Sequence, residues 1–353
     1  MTKTYKLPAD PTIRRILLIK WSSLGDLAVA SAIFDDVYRA FPNADIHLNT
    51  TPAYTSMFAA DPRFKKLISI DIRRRGAQLA VIREWLRTVH AGRYDLVVDL
   101  QSNDRSRLLL LLLRLTGRSI RYRIGNNRQI PYNIYPSEHF AYTLDRYQSA
   151  LRAAGIPVRA RRPVIYVPEQ HETQVLQLMQ TYDLRPGTYA VFMPGCQPAG
   201  YLKRWGSENY IALGRLLLAS TLEKIVVIGT QNETQECAAI TEALGTAAVN
   251  LCERTKILDL LPLCRSARCV VGSDTGTAHL AAANVMPLLV VFGPTDPNRH
   301  KPAGDNVVAI QASADELDCL NCYQKQCSHH SCMKLVTPEL AFHALMRIPY
   351  TPA

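Results

Sequence analysis

Short runs of apolar, often β-branched residues alternate along the chain with longer segments whose apolar residues recur every three or four positions. The runs predict buried strands, and the segments predict helices with one apolar face. The predicted strands are 15–20, 45–50, 66–70, 95–100, 121–124, 189–193, 224–229, 248–251, 268–271, 287–292 and 307–310. The predicted helices are 27–41, 52–60, 77–90, 102–115, 143–154, 169–182, 207–220, 233–244, 257–265 and 278–284. Such alternation predicts parallel sheets that are covered by helices.

The alternation stops once, in a basic segment bounded by proline at 159–168, and then starts again. We predict a linker there, with one domain at 1–162, a second at 163–335 and a C-terminal helix within 336–353. The predicted fold class is α/β, with two Rossmann-like domains whose parallel sheets face a central cleft. Folds of this kind bind ligands at the carboxyl ends of their strands.

The net charge of the chain indicates what kind of partner it binds. The chain has 353 residues, with 41 Lys and Arg against 30 Asp and Glu, and a formal net charge of +11. The excess predicts an anionic partner such as nucleic acid, anionic lipid or a phosphorylated glycan. The basic clusters lack the interleaved aromatic residues of RNA-binding sheets, so no nucleic-acid partner is expected.

Two apolar features bear on location. The first six residues contain no apolar core, which predicts that no secretory signal is present and that the compartment is reducing. The leucine run at 108–113 is much shorter than the about 20 apolar residues of a membrane span. We therefore predict that this run is a buried helix face.

The segment 270–298 has the most specific pattern. It predicts a strand, a tight turn at 272–276 and a helix capped by Thr277. Small residues let a ligand approach the backbone, and free N–H groups at a helix start favour an anion, so a phosphate-bearing ligand is the first hypothesis. Asp274 would repel phosphate and is better explained by hydrogen bonds to ligand hydroxyls or to the turn. The alternative is a structural turn with a capping aspartate.

The loop 22–26 follows the first predicted strand and therefore lies at the ligand-binding edge of the first sheet. Asp26 in this loop is placed to accept a proton from a hydroxyl nucleophile. The alternative is that Asp26 only caps the helix predicted at 27–41.

Polar residues also follow two predicted strands of the second domain. Lys203 and Arg204 can reach a diphosphate, although a solvated basic pair on the surface is the alternative. Thr230 and Glu233 can meet ribose hydroxyls, although Glu233 can also act only through its charge at the start of the next helix.

Three common catalytic motifs are missing. The chain has no G-x-G-x-x-G after its first strand and no G-x-x-x-x-G-K-[ST], which argues against a dinucleotide-dependent dehydrogenase and a P-loop NTPase. It also lacks the H-E-x-x-H pattern of zinc hydrolases.

Four of the nine cysteines form the pattern C-x2-C-x4-C-x4-C in the loop 319–332. They are Cys319, Cys322, Cys327 and Cys332. Four thiolates in so short a stretch can bind zinc or iron in a structural site, with His329 and His330 as competing ligands. The alternatives are reduced thiols that pack a loop, or disulfides under oxidising conditions.

Three blocks, in order along nearly the whole chain, resemble the ADP-heptose:lipopolysaccharide heptosyltransferases. They are S-S-L-G-D at 22–26, K-R-W at 203–205, and S-D-T-G-T-A-H-L at 273–280 followed by F-G-P-T-D-P at 292–297. The cysteine pattern also resembles many members of this family. A related branch glycosylates autotransporter proteins and carries a cysteine-bound iron.

The resemblance implies a GT-B fold with the acceptor on the first domain and the nucleotide-sugar on the second. It also implies an inverting transfer without a divalent metal at the diphosphate. Asp26 matches the family's base, Lys203 the lysine that neutralises the leaving diphosphate, and Asp274 the residue that holds the sugar. The other matched residues contact the donor: Thr275, Gly276, Thr277 and His279 near the phosphates, Thr230 and Glu233 near the ribose, and Thr255 beside the adenine. For His279 the alternative is a histidine that packs in the core.

We therefore predict an inverting glycosyltransferase that moves heptose from ADP-heptose to a phosphorylated, lipid-linked inner-core lipopolysaccharide. Catalysis needs no cofactor, and the expected location is the cytoplasmic face of the inner membrane, against an anionic surface. The nearest alternatives are the same fold with another nucleotide-sugar or a protein acceptor. A nucleotide-sugar epimerase and a nucleic-acid-binding module are further alternatives.

Overall fold

The chain divides into two compact units in the computed structural model, Met1–Tyr166 and Val167–Ala353. The structure describes residues 5–72, 78–117, 119–196, 198–220 and 222–350. Residue 77, where a helix is predicted to begin, and the predicted domain ends at 1–4 and 351–353 lie outside the described residues.

The division falls after Tyr166, whereas the predicted boundary lies after residue 162. The backbone N–H of Val164 donates to the Ser31 hydroxyl at 2.9 Å, and the Arg63 guanidinium donates to the Val164 carbonyl at 2.9 Å. These bonds hold the start of the linker on the first unit.

The described residues of the first unit form a five-stranded parallel sheet in the order β3-β2-β1-β4-β5. The strands are β1 Arg15–Ile19, β2 Asp45–Thr50, β3 Lys66–Ser69, β4 Leu96–Asp99 and β5 Tyr122–Ile124. The helices are α1 Leu24–Ala40, α2 Pro52–Phe58, α3 Gln78–Gly92, α4 Asp104–Leu115 and α5 Thr143–Ala153. Strand β1 lies in the middle of the sheet, and its carboxyl end leads directly into the loop before α1.

A buried polar contact fixes that loop. The indole N–H groups of Trp21 and Trp85 both donate to the side-chain oxygen of Asn49, at 2.9 and 2.7 Å. All three side chains are buried, so these bonds satisfy polar groups that water cannot reach.

The described residues of the second unit form a six-stranded parallel sheet in the order β11-β10-β9-β6-β7-β8. The strands are β6 Tyr189–Met193, β7 Lys224–Val227, β8 Ala248–Asn250, β9 Cys269–Ser273, β10 Leu288–Val291 and β11 Val307–Ile310. The helices are α6 Glu169–Thr181, α7 Ser207–Ser220, α8 Thr234–Leu244, α9 Leu260–Arg265, α10 Gly276–Ala281, α11 Pro297–His300, α12 Ser331–Lys334 and α13 Pro338–Met346. Every residue of β6, β9 and β10 is buried, because helices cover both faces of the sheet.

The predicted strands and helices are present, but several predicted helix starts are displaced. Helices α4 and α9 begin at Asp104 and Leu260, two and three residues after their predicted starts, whereas α1 and α10 begin earlier than predicted. Helix α1 begins at Leu24 with Ser23 as its N-cap, and α10 begins at Gly276 with Thr275 as its N-cap, so Thr277 is not the cap. Both Ser23 and Thr275 have extended backbone conformations, and helical geometry starts at the next residue. Both starts were predicted from the first apolar residue of the helical pattern, which lies a few residues after the capping residue.

The leucine run at 108–113 is only partly buried, which corrects the prediction of a buried face. Leu109, Leu110 and Leu113 are buried, whereas Leu108 is 51% exposed. Consecutive helical residues point in directions about 100° apart, so an unbroken apolar run must also face solvent. Among the described residues, no helix has the length and apolar character needed to cross a membrane.

Candidate functional site

The predicted donor residues of the second unit lie at one edge of its sheet. The strands are all parallel, so the loops after β6, β7, β8 and β9 leave the sheet at the same edge. The loops after β6, β7 and β8 carry Lys203, Thr230, Glu233 and Thr255. The loop after β9 carries Asp274 and Thr275, and it leads into α10, which carries Gly276, Thr277 and His279.

Lys203 and Asp274 form the central contact of this edge. The Lys203 ammonium donates to Oδ2 of Asp274 at 2.6 Å, and the Thr295 hydroxyl donates to the same oxygen at 2.7 Å. The Asp274 side chain is 6% exposed and that of Lys203 is 29% exposed. A buried carboxylate thus holds a more exposed cation in one position, beside the turn after β9.

His300, at the end of α11, lies near this pair. Burial lowers the pKa of His300; the Asp274 carboxylate opposes this effect, and the positive charge of Lys203 reinforces it. The imidazole is therefore held in its neutral form close to the Lys203–Asp274 pair.

Arg204 contacts the loop after β7, the strand that pairs with β6 on the side away from β9. Its guanidinium donates to Glu233 at 3.2 Å and lies 3.3 Å from a carboxylate oxygen of Glu236. Glu233 in turn accepts the backbone N–H and the hydroxyl of Thr230, at 2.8 and 2.6 Å. Glu233 therefore closes a capping box with Thr230 and also anchors the loop after β6 to the loop after β7.

Gly195 makes this anchoring contact possible. A Cβ atom at Gly195 would lie 2.1 Å from Cγ of Glu233, closer than any side chain tolerates. The absence of a side chain at this position lets the Glu233 carboxylate reach Arg204.

The first turn of α10 is accessible. Thr275, Gly276 and Thr277 are half-buried, and the hydroxyls of the two threonines lie 2.8 Å apart. Backbone N–H groups at a helix start have no partners within the helix and carry a partial positive charge. This turn can therefore receive a phosphate, with the Lys203 ammonium nearby. His279 is half-buried on the same helix, and its predicted phosphate contact stays a prediction.

The loop after β8 holds Thr255 half-buried. The backbone N–H of Lys256 donates to Asp259 at 2.7 Å, and Asp259 bonds to His171 at 2.6 Å, with both of these side chains buried. The loop is thus anchored next to Thr255, whose place beside an adenine remains a prediction.

In the first unit, Asp26 takes part in a capping box. Its Oδ2 accepts the backbone N–H of Ser23 at 3.0 Å and lies 3.3 Å from the Ser23 hydroxyl. The side chain stays 41% exposed. Asp26 is therefore the third residue of α1 and not its N-cap, and its carboxylate is accessible despite the capping contact.

Lys20 is a buried cation behind Asp26. Its ammonium lies 3.8 Å from Oδ2 of Asp26 and 5.6 Å from the ring centre of Tyr147. Burial alone would lower the pKa of Lys20, but interactions with Tyr147, Asp26 and Asp99 outweigh it and raise the pKa. Lys20 therefore stays charged next to the predicted base.

Thr295, His300 and Lys20 were not singled out from the sequence. Thr295 lies in the block 292–297, and its place in that motif could have identified it as a candidate site residue. His300 and Lys20 carried no such signal, because their relevance depends on neighbours that are distant in the sequence.

The four clustered cysteines do not form the predicted metal site. Cys319 and Cys327 are exposed, whereas Cys332 is buried, with its sulfur facing Gly293. Burial raises the pKa of Cys332, and negative charge on the other three thiols would raise it further. Within the described part of the chain, no three Cys, His, Asp or Glu side chains are grouped to hold a metal ion. The zinc or iron assignment therefore has no support in this arrangement.

Comparisons with known proteins identify the family of the chain. Residues 82–333 match the family model described as glycosyltransferase family 9 (heptosyltransferase). Lipooligosaccharide heptosyltransferase 2 of Haemophilus influenzae is 24% identical over 340 residues, covering 94% of this chain and 98% of that protein.

Two solved structures share the fold. A family 9 glycosyl transferase from Veillonella parvula has a TM-score of 0.77 at 17% identity, covering 98% of both chains. The ADP-heptose lps heptosyltransferase II of Escherichia coli has a TM-score of 0.72 at 21% identity, covering 95% of this chain and 98% of that one. The predicted α/β, GT-B fold class is confirmed.

Proposed function

The chain belongs to glycosyltransferase family 9 (heptosyltransferase), and from this premise we propose that it transfers heptose from ADP-heptose to an inner-core lipopolysaccharide acceptor. The observation that carries the proposal is the Lys203–Asp274 pair beside the first turn of α10. A cation and free N–H groups are the groups that a departing diphosphate requires.

The donor occupies the carboxyl edge of the second sheet in this proposal. Its diphosphate accepts hydrogen bonds from the turn 275–277 and from Lys203, with His279 beside it. Asp274 accepts hydrogen bonds from sugar hydroxyls. The ribose lies at Thr230 and Glu233, and the adenine at Thr255. The similarity to the ADP-heptose lps heptosyltransferase II of Escherichia coli supports this choice of nucleotide and sugar.

The transfer is a single displacement. The acceptor hydroxyl attacks the anomeric carbon while the bond from that carbon to the diphosphate oxygen breaks. Asp26 takes the hydroxyl proton, and ADP leaves with its new negative charge beside Lys203. Attack opposite to the leaving group inverts the anomeric configuration. The exposure of the Asp26 carboxylate and the buried cation at Lys20 support its role as the base.

The acceptor is phosphorylated and lipid-linked in this proposal, which places the enzyme at the cytoplasmic face of the inner membrane. The formal net charge of +11 supports an anionic acceptor and an anionic surface. Catalysis uses no cofactor, because Lys203 supplies the positive charge at the diphosphate.

Isothermal titration with ADP, UDP and GDP tests the donor assignment. We expect ADP to bind most tightly, and Asp274→Asn to keep ADP affinity within about threefold while weakening ADP-heptose about tenfold or more. Asparagine retains an acceptor for Thr295 but removes the charge that orients sugar hydroxyls. Tighter binding of UDP or GDP would instead identify a family member with another donor.

A further inference from the structure

Helix α4 carries apolar side chains on its solvent side. Leu108 is 51% exposed and Leu115 is 81% exposed, and Leu111 and Leu112 are half-buried. At 3.6 residues per turn these four leucines share one side of the helix. Buried side chains occupy the opposite side: Leu109, Leu110 and Leu113. Surface helices of soluble proteins normally have polar residues where α4 has this leucine stripe.

The apolar surface extends beyond the helix. Ile130, in the loop after β5, is 71% exposed. A groove of about 320 Å³ separates it from α4 and is lined also by Arg107, Leu108 and Leu111, with Asp104 and Gln129. Contiguous exposed apolar surface of this kind marks an interaction site.

Arginines flank the leucine stripe on both sides. Helical spacing places Arg105 along one side and Arg107 and Arg114 along the other. Arg107 pairs with Asp104, the one acidic residue in the sequence of α4, while Arg114 is exposed. The helix therefore carries three arginines against one aspartate, so the surface around the stripe is positive.

We propose that the leucine stripe of α4, with its flanking arginines, docks the enzyme on an anionic phospholipid bilayer. The helix has 12 residues, about 18 Å, and a bilayer's hydrocarbon core is about 30 Å thick, so α4 lies in the membrane plane and does not span it. The leucines enter the boundary of the acyl chains, and the arginines contact lipid phosphates.

The charge pattern selects a membrane over a second copy of the chain. Two copies that packed through their stripes would bring arginines against arginines, which disfavours the pair. Lipid phosphates neutralise the same arginines. The inference rests on the proposed function, since it explains how the enzyme reaches an acceptor that is anchored in a membrane.

Co-sedimentation with vesicles tests the docking surface. One set contains phosphatidylglycerol and phosphatidylethanolamine, and the other contains only phosphatidylcholine. We expect wild type to bind the anionic set about tenfold more tightly. The double variant Leu108→Ser, Leu115→Ser and the single variant Arg114→Glu should each bind it about fivefold to tenfold more weakly than wild type.

Leu176→Ser is the matched control, because Leu176 is 58% exposed on α6 in the other unit. It should bind vesicles as wild type does. Wild-type binding by the double variant would overturn the proposal. So would sedimentation analysis that shows a wild-type dimer which the double variant dissociates, because the stripe would then join two copies.

A transfer assay separates this inference from the proposed function. With an acceptor dispersed in detergent, the double variant should transfer heptose at the wild-type rate, since no membrane has to be reached. If wild type bound anionic vesicles through α4 but transferred no heptose, the proposed function would fail and the docking surface would stand.

Discussion

The ammonium of Lys203 lies 2.6 Å from Oδ2 of Asp274, an oxygen that also accepts the Thr295 hydroxyl at 2.7 Å. Because Asp274 is buried, the cation is positioned before any ligand arrives. A preorganised charge of this kind stabilises a developing diphosphate without the cost of reorienting groups during the reaction.

Lys203→Met should lower kcat by about 100-fold, since removing one preorganised group at a site of developing charge typically costs that much. It should also lower the melting temperature, because the buried Asp274 carboxylate loses its cation. Steady-state kinetics with ADP-heptose and thermal melts measure both effects.

Lys224→Met is the control for this change. Lys224 lies at the start of β7, at the end of the strand away from the loop that carries Thr230 and Glu233. Its ammonium donates to the Thr246 carbonyl at 3.0 Å. It should leave kcat unchanged. Equal kinetic losses in the two variants would remove Lys203 from the reaction.

Asp26→Asn separates catalysis from capping. Asparagine keeps an oxygen that can accept the Ser23 N–H, so the variant should melt close to wild type, whereas Asp26→Ala should lose about 1 kcal/mol. Neither variant has a base at this position, so neither should transfer heptose above background. Both should bind ADP normally. Near wild-type transfer by the asparagine variant would show that the proton goes elsewhere.

The parallel sheets could be predicted because their central strands are short apolar runs, and those of β6, β9 and β10 are buried on both faces. The run at 189–193 became β6 with the predicted ends. The order of strands could not be predicted in the same way. The pairing of β6 with both β7 and β9 joins segments that are distant in the chain.

The chemistry of the site divides similarly. Motif position was enough to select Lys203 and Asp274, but their contact spans 71 positions and needed coordinates. Cysteine spacing suggested a metal site that the burial of Cys332 and the exposure of Cys319 do not support. The spacing shows which side chains are close in the sequence, but it does not show which of them are buried.

Gly195→Ala should disrupt the link between the loops after β6 and β7. The new Cβ would lie 2.1 Å from Cγ of Glu233, so Glu233 must move away from Arg204. Overpacking of this kind typically costs about 1–3 kcal/mol of unfolding free energy. We expect a loss in that range by chemical denaturation, together with weaker ADP binding.

Gly200→Ala provides the comparison within the same loop. Its Cβ would find its nearest atom, the Cys196 sulfur, at 3.7 Å, which is an ordinary contact. The unfolding free energy should change by less than about 0.5 kcal/mol. If the two alanine variants were equally stable, the close approach of Glu233 to Gly195 would not matter.

His300 should make stability depend on pH. Burial lowers the pKa of His300 below its ordinary value of 6.5, so the imidazole is protonated more readily in the unfolded chain than in the folded one. The stability that neutral His300 contributes is therefore present above about pH 6.5 and is lost as the pH falls below it. His300→Gln should lose less melting temperature than wild type between pH 7.5 and about 5.5. Parallel pH profiles for the two proteins would contradict this assignment.

The most direct test of the central claim is the mass of a heptose-free inner-core acceptor after incubation with the purified enzyme and ADP-heptose. We expect the acceptor to gain one heptose for each ADP released, and ADP-heptose to remain intact when the acceptor is left out. An acceptor of unchanged mass, or ADP-heptose that is converted without any acceptor, would contradict the account.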